Sequence, residues 1–320
     1  MTENLQKIKG ASLWRDAWRR LLRNRLAVFG MVVMAILVLA VIIGPAIIYW
    51  ATGYTYDLIP TDRELVRAMP PSFSHLMGTD DAGRDILARV LQGGRISLMV
   101  GIISTTVSLI VGVSYGAIAG FLGGRIDNIM MRIVDVFFSI PYILIVIVLL
   151  SVFGGAGTPG WIKTLSETFG GAGNQALSQI FLLFFALGLV SWLTMARVVR
   201  GQILSLKNQE FVMAARATGV SNFGIVFRHL IPNALGPVIV YATLTVPSVM
   251  LSEAFLSFLG LGVQPPFASW GSLAADGIKN VAIFPWQLIF PGLTMALTLF
   301  SLNFLGDGIR DALDPQTRKF

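Results

Sequence analysis

The chain has 320 residues, 55% hydrophobic and only 13% charged, with a mean hydropathy of +0.73 and a net charge of +7. An average soluble domain carries about 25% charged residues, so charge is too sparse here to solvate a globular surface. A soluble enzyme, a disordered chain and a nucleic-acid-binding domain are excluded, and a polytopic membrane protein remains. There is no cysteine, which removes disulfides, iron–sulfur clusters and thiolate zinc sites. The only histidines, His75 and His229, lie far apart, so no metal site is expected.

Residues 1–25 are expected to form an amphipathic, cytoplasmic N-terminal arm. Trp14, Trp18, Leu21 and Leu22 fall at helical spacing among Arg15, Arg19, Arg20 and Arg23, a pattern suited to lipid headgroups or to simple anchoring. The apolar run that follows is too long for a cleavable signal and has no A-x-A site after it. It predicts a first span from Leu26 to Tyr49, within a segment 26–50. An external loop, 51–95, comes next. Its acids and bases are balanced, with Gly78 and Gly83 bracketing a tight turn around Asp80 and Asp81, and the spacing is not that of a calcium loop.

Five more charge-poor windows form a core, 96–306: Ile96 to Gly124, Val136 to Phe153, Leu177 to Ala196, Leu235 to Phe258 and Trp286 to Leu305. Each is long enough for a hydrocarbon core of about 30 Å. The runs are continuous and do not alternate as barrel strands do. The fold class is therefore all-α, with six transmembrane helices, followed by a tail, 307–320. With both termini cytoplasmic, the inner segments carry seventeen Lys and Arg against seven outside, which is the expected bias. In the second span Gly112, Gly116 and Gly120 share one face, where another helix can pack closely.

No G-x-x-x-x-G-K-[ST] loop is present, so ATP is not bound by that route. No nucleophile–histidine pair is expected in the bilayer, and no catalytic role is assigned to the chain. Only Glu253 is ionisable within a span. A self-contained proton-coupled carrier or channel, the rival reading, needs more than this.

The connection between spans four and five, 198–232, is the most informative. Glu210 to Thr218 reads EFVMAARAT, a short helix rich in small residues. Gly219 suits a left-handed C-terminal cap. Ser221 can cap a second helix reaching Leu230, which Pro232 is expected to end. Two short helices of this kind can lie in a groove of a partner protein.

These residues carry a resemblance. Ala214-Ala215, Gly219 and His229-Leu230-Ile231-Pro232 resemble the coupling loop of ABC-importer permeases. Met213 stands where the family pattern has Glu, and the acidic residue is Glu210. Three more segments fit the peptide/nickel (oligopeptide/dipeptide) branch: MGTDDAGRD at 77–85, DNIMMRIVD at 127–135 and SEAFLSFLGLGVQPPFASW at 252–270. The tail LGDGIRDALDP at 305–315 fits it too, and the chain is most similar to the C-subunit oligopeptide permeases of that branch.

The resemblance implies a type I ABC importer permease fold and partners outside the chain. These are a homologous second permease, two ATPase subunits that hold ATP and magnesium, and an external peptide-binding protein, all at a lipid membrane and with no nucleic acid. It makes Glu210, Ala214, Ala215, Arg216, Gly219 and Pro232 the ATPase-coupling loop. Ala214 and Ala215 would allow close approach, and Glu210 and Arg216 would make polar contacts. Oligopeptides are the implied cargo, with dipeptides, glutathione and nickel chelates as alternatives. Glu253 either lines the pathway or is structural. The Gly- and Pro-rich stretch Leu259 to Trp270, including Gln264, is expected to fold over the outer mouth as a gate, with an ordinary loop as the alternative.

Overall fold

The computed structural model describes residues 13–62, 66–153, 157–170 and 175–313. The arm before residue 13 and the tail after residue 313, both expected to be cytoplasmic, lie outside the described residues, as does the side chain of Trp14. The regular structure among the described residues is helical, with one isolated bridge between Thr79 and Asp85. In chain order the helices are α1 (Leu13–Leu21), α2 (Arg25–Thr52), α3 (Ile86–Leu122), α4 (Gly124–Ser139), α5 (Tyr142–Phe153) and α6 (Gly160–Gly170). They continue with α7 (Gln175–Leu206), α8 (Glu210–Ala217), α9 (Asn222–Gly224), α10 (Ile231–Phe258), α11 (Trp270–Lys279) and α12 (Trp286–Leu313). Five are long and apolar enough to cross a membrane, and the bent pair α4 and α5, counted as one span, makes a sixth.

The centre is α3 against α7, and the glycine stripe explains why. A Cβ on Gly112 would stand 2.6 Å from Met195 Cβ, one on Gly116 would meet the Ala196 carbonyl, and one on Gly120 would stand 3.0 Å from Ile203 Cβ. All three neighbours belong to α7, so the small residues let two backbones approach where no side chain fits. In α1, Ala17 and Leu21 are buried with Ala27 of α2 and Ala312 of α12, while Trp18, and Leu22 just after the helix, are exposed. Leu21 thus lies on the packed edge of the face that carries Trp18.

Several expected boundaries are corrected. The helix that carries the second window begins at Ile86, ten residues before Ile96, so the last ten residues of the loop expected at 51–95 are helical. Asp85 caps α3 by accepting from the Ala88 amide at 2.8 Å. The arginines after it do not break the helix, because each has a partner. Arg89 pairs with Asp80, which also accepts from Arg84 at 2.8 Å. Arg95 donates to the carbonyls of Val41 and Ile42 at 3.0 and 2.7 Å. Pro45 in α2 has no N–H for the Val41 carbonyl, and Arg95 supplies the missing donor.

The third span is not straight. α4 and α5 meet at 88°. Pro141 holds Ile140 in an extended conformation, φ −90° and ψ 128°, which ends α4. The expected loop 198–232 is mostly helix, since α7 continues to Leu206 and only 207–209 and 218–221 lie between helices. Leaving an apolar window does not end a helix when Arg197 and Arg200 find acids on α4. Pro232 does not end a helix either, and residues 222–258 run on as one. Ile225–Leu230 widens into a π-helical turn, with the Ile231 amide bonded to the Val226 carbonyl. That wider turn admits the proline ring, which an α-helix would reject.

The turn expected around Asp80 and Asp81 is present. Gly78 and Gly83 have φ of +76° and +75°. Asp81 accepts from Asn280 at 2.5 Å and Gln287 at 3.0 Å, fastening this loop to the α11–α12 corner.

Candidate functional site

α8 is built to be held at both ends and free on one side. Glu210 lies in its first turn and Arg216 in its last, each favourable to the helix dipole. Gly219, at φ +80°, closes the helix. Its amide donates to the Arg216 carbonyl at 3.0 Å, and the Val220 amide to the Ala215 carbonyl at 3.1 Å, a Schellman pair. Ser221 then caps the next helix, accepting from the Gly224 amide at 3.2 Å. Both caps stand where the residue types place them.

The two alanines divide. Val212 and Ala215 are buried against α7 and the π-helical turn, and Ala214 is exposed beside Glu210, Met213 and Arg216. The expected alanine face is thus half of that expectation, because positions 212 and 215 point to the same side of a 3.6-residue turn. Pro232 is exposed. The Arg216 guanidinium lies 5.8 Å from the Phe121 ring centroid at the end of α3.

Between the α4–α5 elbow, α7 and α10 lies a cavity of about 580 Å³. Hydroxyls from Tyr142, Ser191, Thr194, Tyr241, Thr245, Ser248 and Ser252 line it among apolar side chains, and no charged residue does among the described residues. Two of its walls, α7 and α10, are the helices that run directly into α8 through 207–209 and 218–221.

Of the residues expected at the pathway or gate, Trp270 and Glu253 are buried and Gln264 is exposed. Trp270 has no exposed surface. Its Nε1 donates to the Val90 carbonyl at 2.8 Å, and its amide donates to Ser97 Oγ at 2.9 Å. It is a wedge between α11 and α3, not a residue open to a mouth. Glu253 is buried, and its Oε1 accepts from Ser257 Oγ at 2.8 Å and Ser269 Oγ at 2.7 Å. It ties α10 to the start of α11 and does not line the cavity. Gln264 is exposed, with its amide donating to the Gly260 and Gly262 carbonyls at 3.0 and 3.1 Å. It borders a smaller space of about 170 Å³ between the 260–264 turn and α7.

The sequence reading missed α11. Its ten residues span about 15 Å, half of what a crossing needs. The Ser269–Ser272 capping box at its start was the available signal. It also missed the pairing of Asp135 with Arg197, which stand 62 residues apart.

A bundle of membrane-length helices, a half-open cavity with no charged side chain among its described lining, and a short exposed helix at one end are the features of a membrane permease. The family model described as "Binding-protein-dependent transport system inner membrane component" matches residues 112–319. A second model, "N-terminal TM domain of oligopeptide transport permease C", matches residues 12–71. The chain belongs to this family of ABC-importer permeases, whose members work with a binding protein and an ATPase.

Among curated relatives, it is 46% identical to the oligopeptide transport system permease protein OppC of Escherichia coli K12, over 98% of this chain and 94% of that one. The OppC protein of Haemophilus influenzae is 44% identical over 98% and 91%. The dipeptide transport system permease protein DppC of Bacillus subtilis is 41% identical over 96% and 87%. Among solved structures, the MetNI methionine ABC transporter in an inward-facing conformation matches with a TM-score of 0.50 and 18% identity. That match covers 70% of this chain and 96% of that one, and shares the fold.

Proposed function

We propose that this chain is one of two homologous permease subunits through which oligopeptides enter the cytoplasm across the bacterial inner membrane. In this reading both termini and α8 face the cytoplasm, as the bias of seventeen cations to seven supports. ATP and magnesium are held by two separate ATPase subunits, and an external binding protein delivers the peptide.

The observation that carries the reading is the connection of α8. Its exposed face, with Glu210, Met213, Ala214 and Arg216, is fixed by the Gly219 turn between the two helices that wall the cavity. A partner that tilts α8 therefore moves both walls together, which is alternating access by rigid-body motion. The cavity chemistry fits the cargo. Hydroxyls can pair with a peptide backbone of any sequence, and uncharged walls favour no particular side-chain charge.

The dipeptide relative supports a second cargo reading, in which shorter peptides pass. Uptake by the assembled transporter in proteoliposomes tests both. Peptides of three to five residues should enter only with ATP inside and the binding protein outside. Uptake by this chain alone on an ion gradient would overturn the reading, and selective uptake of dipeptides would replace the cargo.

A further inference from the structure

Two aspartates on α4 meet two arginines on α7, and the two pairs are built differently. Asp127, whose side chain is 8% exposed, takes a two-point contact from Arg200 at 2.5 and 2.7 Å. Asp135 takes a single contact from Arg197 at 2.7 Å, and the two side chains are 56% and 44% exposed. The first pair already fastens α4 to α7. The second adds little holding power, since an exposed single-contact pair contributes about 0–1 kcal/mol.

Its position is informative. The Arg197 guanidinium lies 3.9 Å from the centroid of the Phe138 ring, and Phe138 lines the cavity beside Thr194, one turn before Arg197 on α7. The ring holds the guanidinium at the end of the cavity independently of Asp135. Among the described residues, no charged side chain lines the cavity itself.

We propose that Arg197 is a subsite for the terminal carboxylate of a peptide in transit, and that this carboxylate displaces Asp135 from the guanidinium. A free carboxylate is poorly solvated among hydroxyls and apolar rings. Arg197 offers a planar, permanently charged donor set that fits a carboxylate. Asp135 serves as the occupant that keeps Arg197 paired when no peptide is present. The exchange is one acid for another, with no covalent step and no proton moved. The inference rests on the peptide-cargo reading above.

The test uses the assembled transporter in proteoliposomes and one peptide in two forms, with a free C-terminal carboxylate and as the C-terminal amide. The readout is the ratio of their uptake rates relative to the wild-type ratio, which cancels any preference of the binding protein. Arg197→Gln should lower the free-to-amide ratio about fivefold or more, and Arg197→Lys should restore part of it. Asp127→Asn, which weakens only the other pair, should slow both forms alike. If Arg197→Gln slows both forms by the same factor, or leaves both unchanged, Arg197 is not a carboxylate subsite. If the wild-type transporter moves neither form, the peptide-cargo reading has failed, which is a separate result.

Discussion

Arg200 grips Asp127 with both faces of its fork, Nε to Oδ1 at 2.5 Å and Nη2 to Oδ2 at 2.7 Å, joining α7 to α4 across 73 residues of sequence. α7 continues from this contact into α8, and α4 turns into the elbow of the cavity. The pair therefore connects the proposed docking helix to the cavity wall by a route that does not pass through α10.

Breaking that pair from the basic side should be the more damaging. Arg200→Leu leaves a buried carboxylate without its partner, which costs about 3 kcal/mol or more. Asp127→Asn leaves only a half-exposed guanidinium and should cost less. Thermal unfolding of the purified transporter checks the order, and the charge-swapped double variant Asp127→Arg with Arg200→Asp should recover part of the loss.

Gly116 and Gly201 make a matched test of packing. Gly116→Val places methyls against the Ala196 carbonyl and Val199, and neither backbone can give way. It should lower stability by about 3 kcal/mol and reduce the yield of assembled complex. Gly201→Ala, on α7 with open space around its Cβ, should be neutral or slightly stabilising.

Glu253 is expected to act as a tie and not as a pathway group. Glu253→Gln keeps an oxygen for the Ser257 and Ser269 hydroxyls and should leave uptake near wild type. Glu253→Leu leaves the Ser257 and Ser269 hydroxyl donors without their acceptor and should cost about 2–3 kcal/mol. Paired measurement of melting temperature and uptake separates the roles. Lost uptake in Glu253→Gln at unchanged stability would return it to the pathway.

Gly219 has nothing within 4 Å of its would-be Cβ, so its requirement is conformational. Gly219→Ala forces a non-glycine residue to φ +80°, at about 1–2 kcal/mol. Global stability should change little, while uptake per ATP hydrolysed falls as the α8 turn loosens. Gly219→Asn, which tolerates that conformation better, should lie between the two. Simultaneous assays of ATP hydrolysis and uptake check this.

What could be read in the sequence was local. The caps at Gly219 and Ser221 need only their neighbours, and the glycine stripe needs only helical spacing. What could not be read was decided at a distance. Arg89 and Arg95 looked like the edge of an external loop, because their partners, Asp80 and the Val41 and Ile42 carbonyls, lie on other elements. Trp270 looked like a gate because it follows a Gly- and Pro-rich stretch. Its indole N–H finds the Val90 carbonyl 180 residues away. Ala214 and Ala215 looked equivalent until the packing of α8 separated them.

The central claim is that α8 is the surface through which a separate ATPase moves the cavity walls. The chain has no cysteine, so a single one can be placed at will. Met213, 54% exposed on the free face of α8, and Ala215, 7% exposed on its packed face, form the comparison. In the assembled transporter, Met213→Cys should cross-link to the ATPase subunit, with an efficiency that changes between nucleotide-free and ATP-bound states, and Ala215→Cys should not. Failure of Met213→Cys to cross-link in either state, in a complex that still imports peptide, would contradict the account.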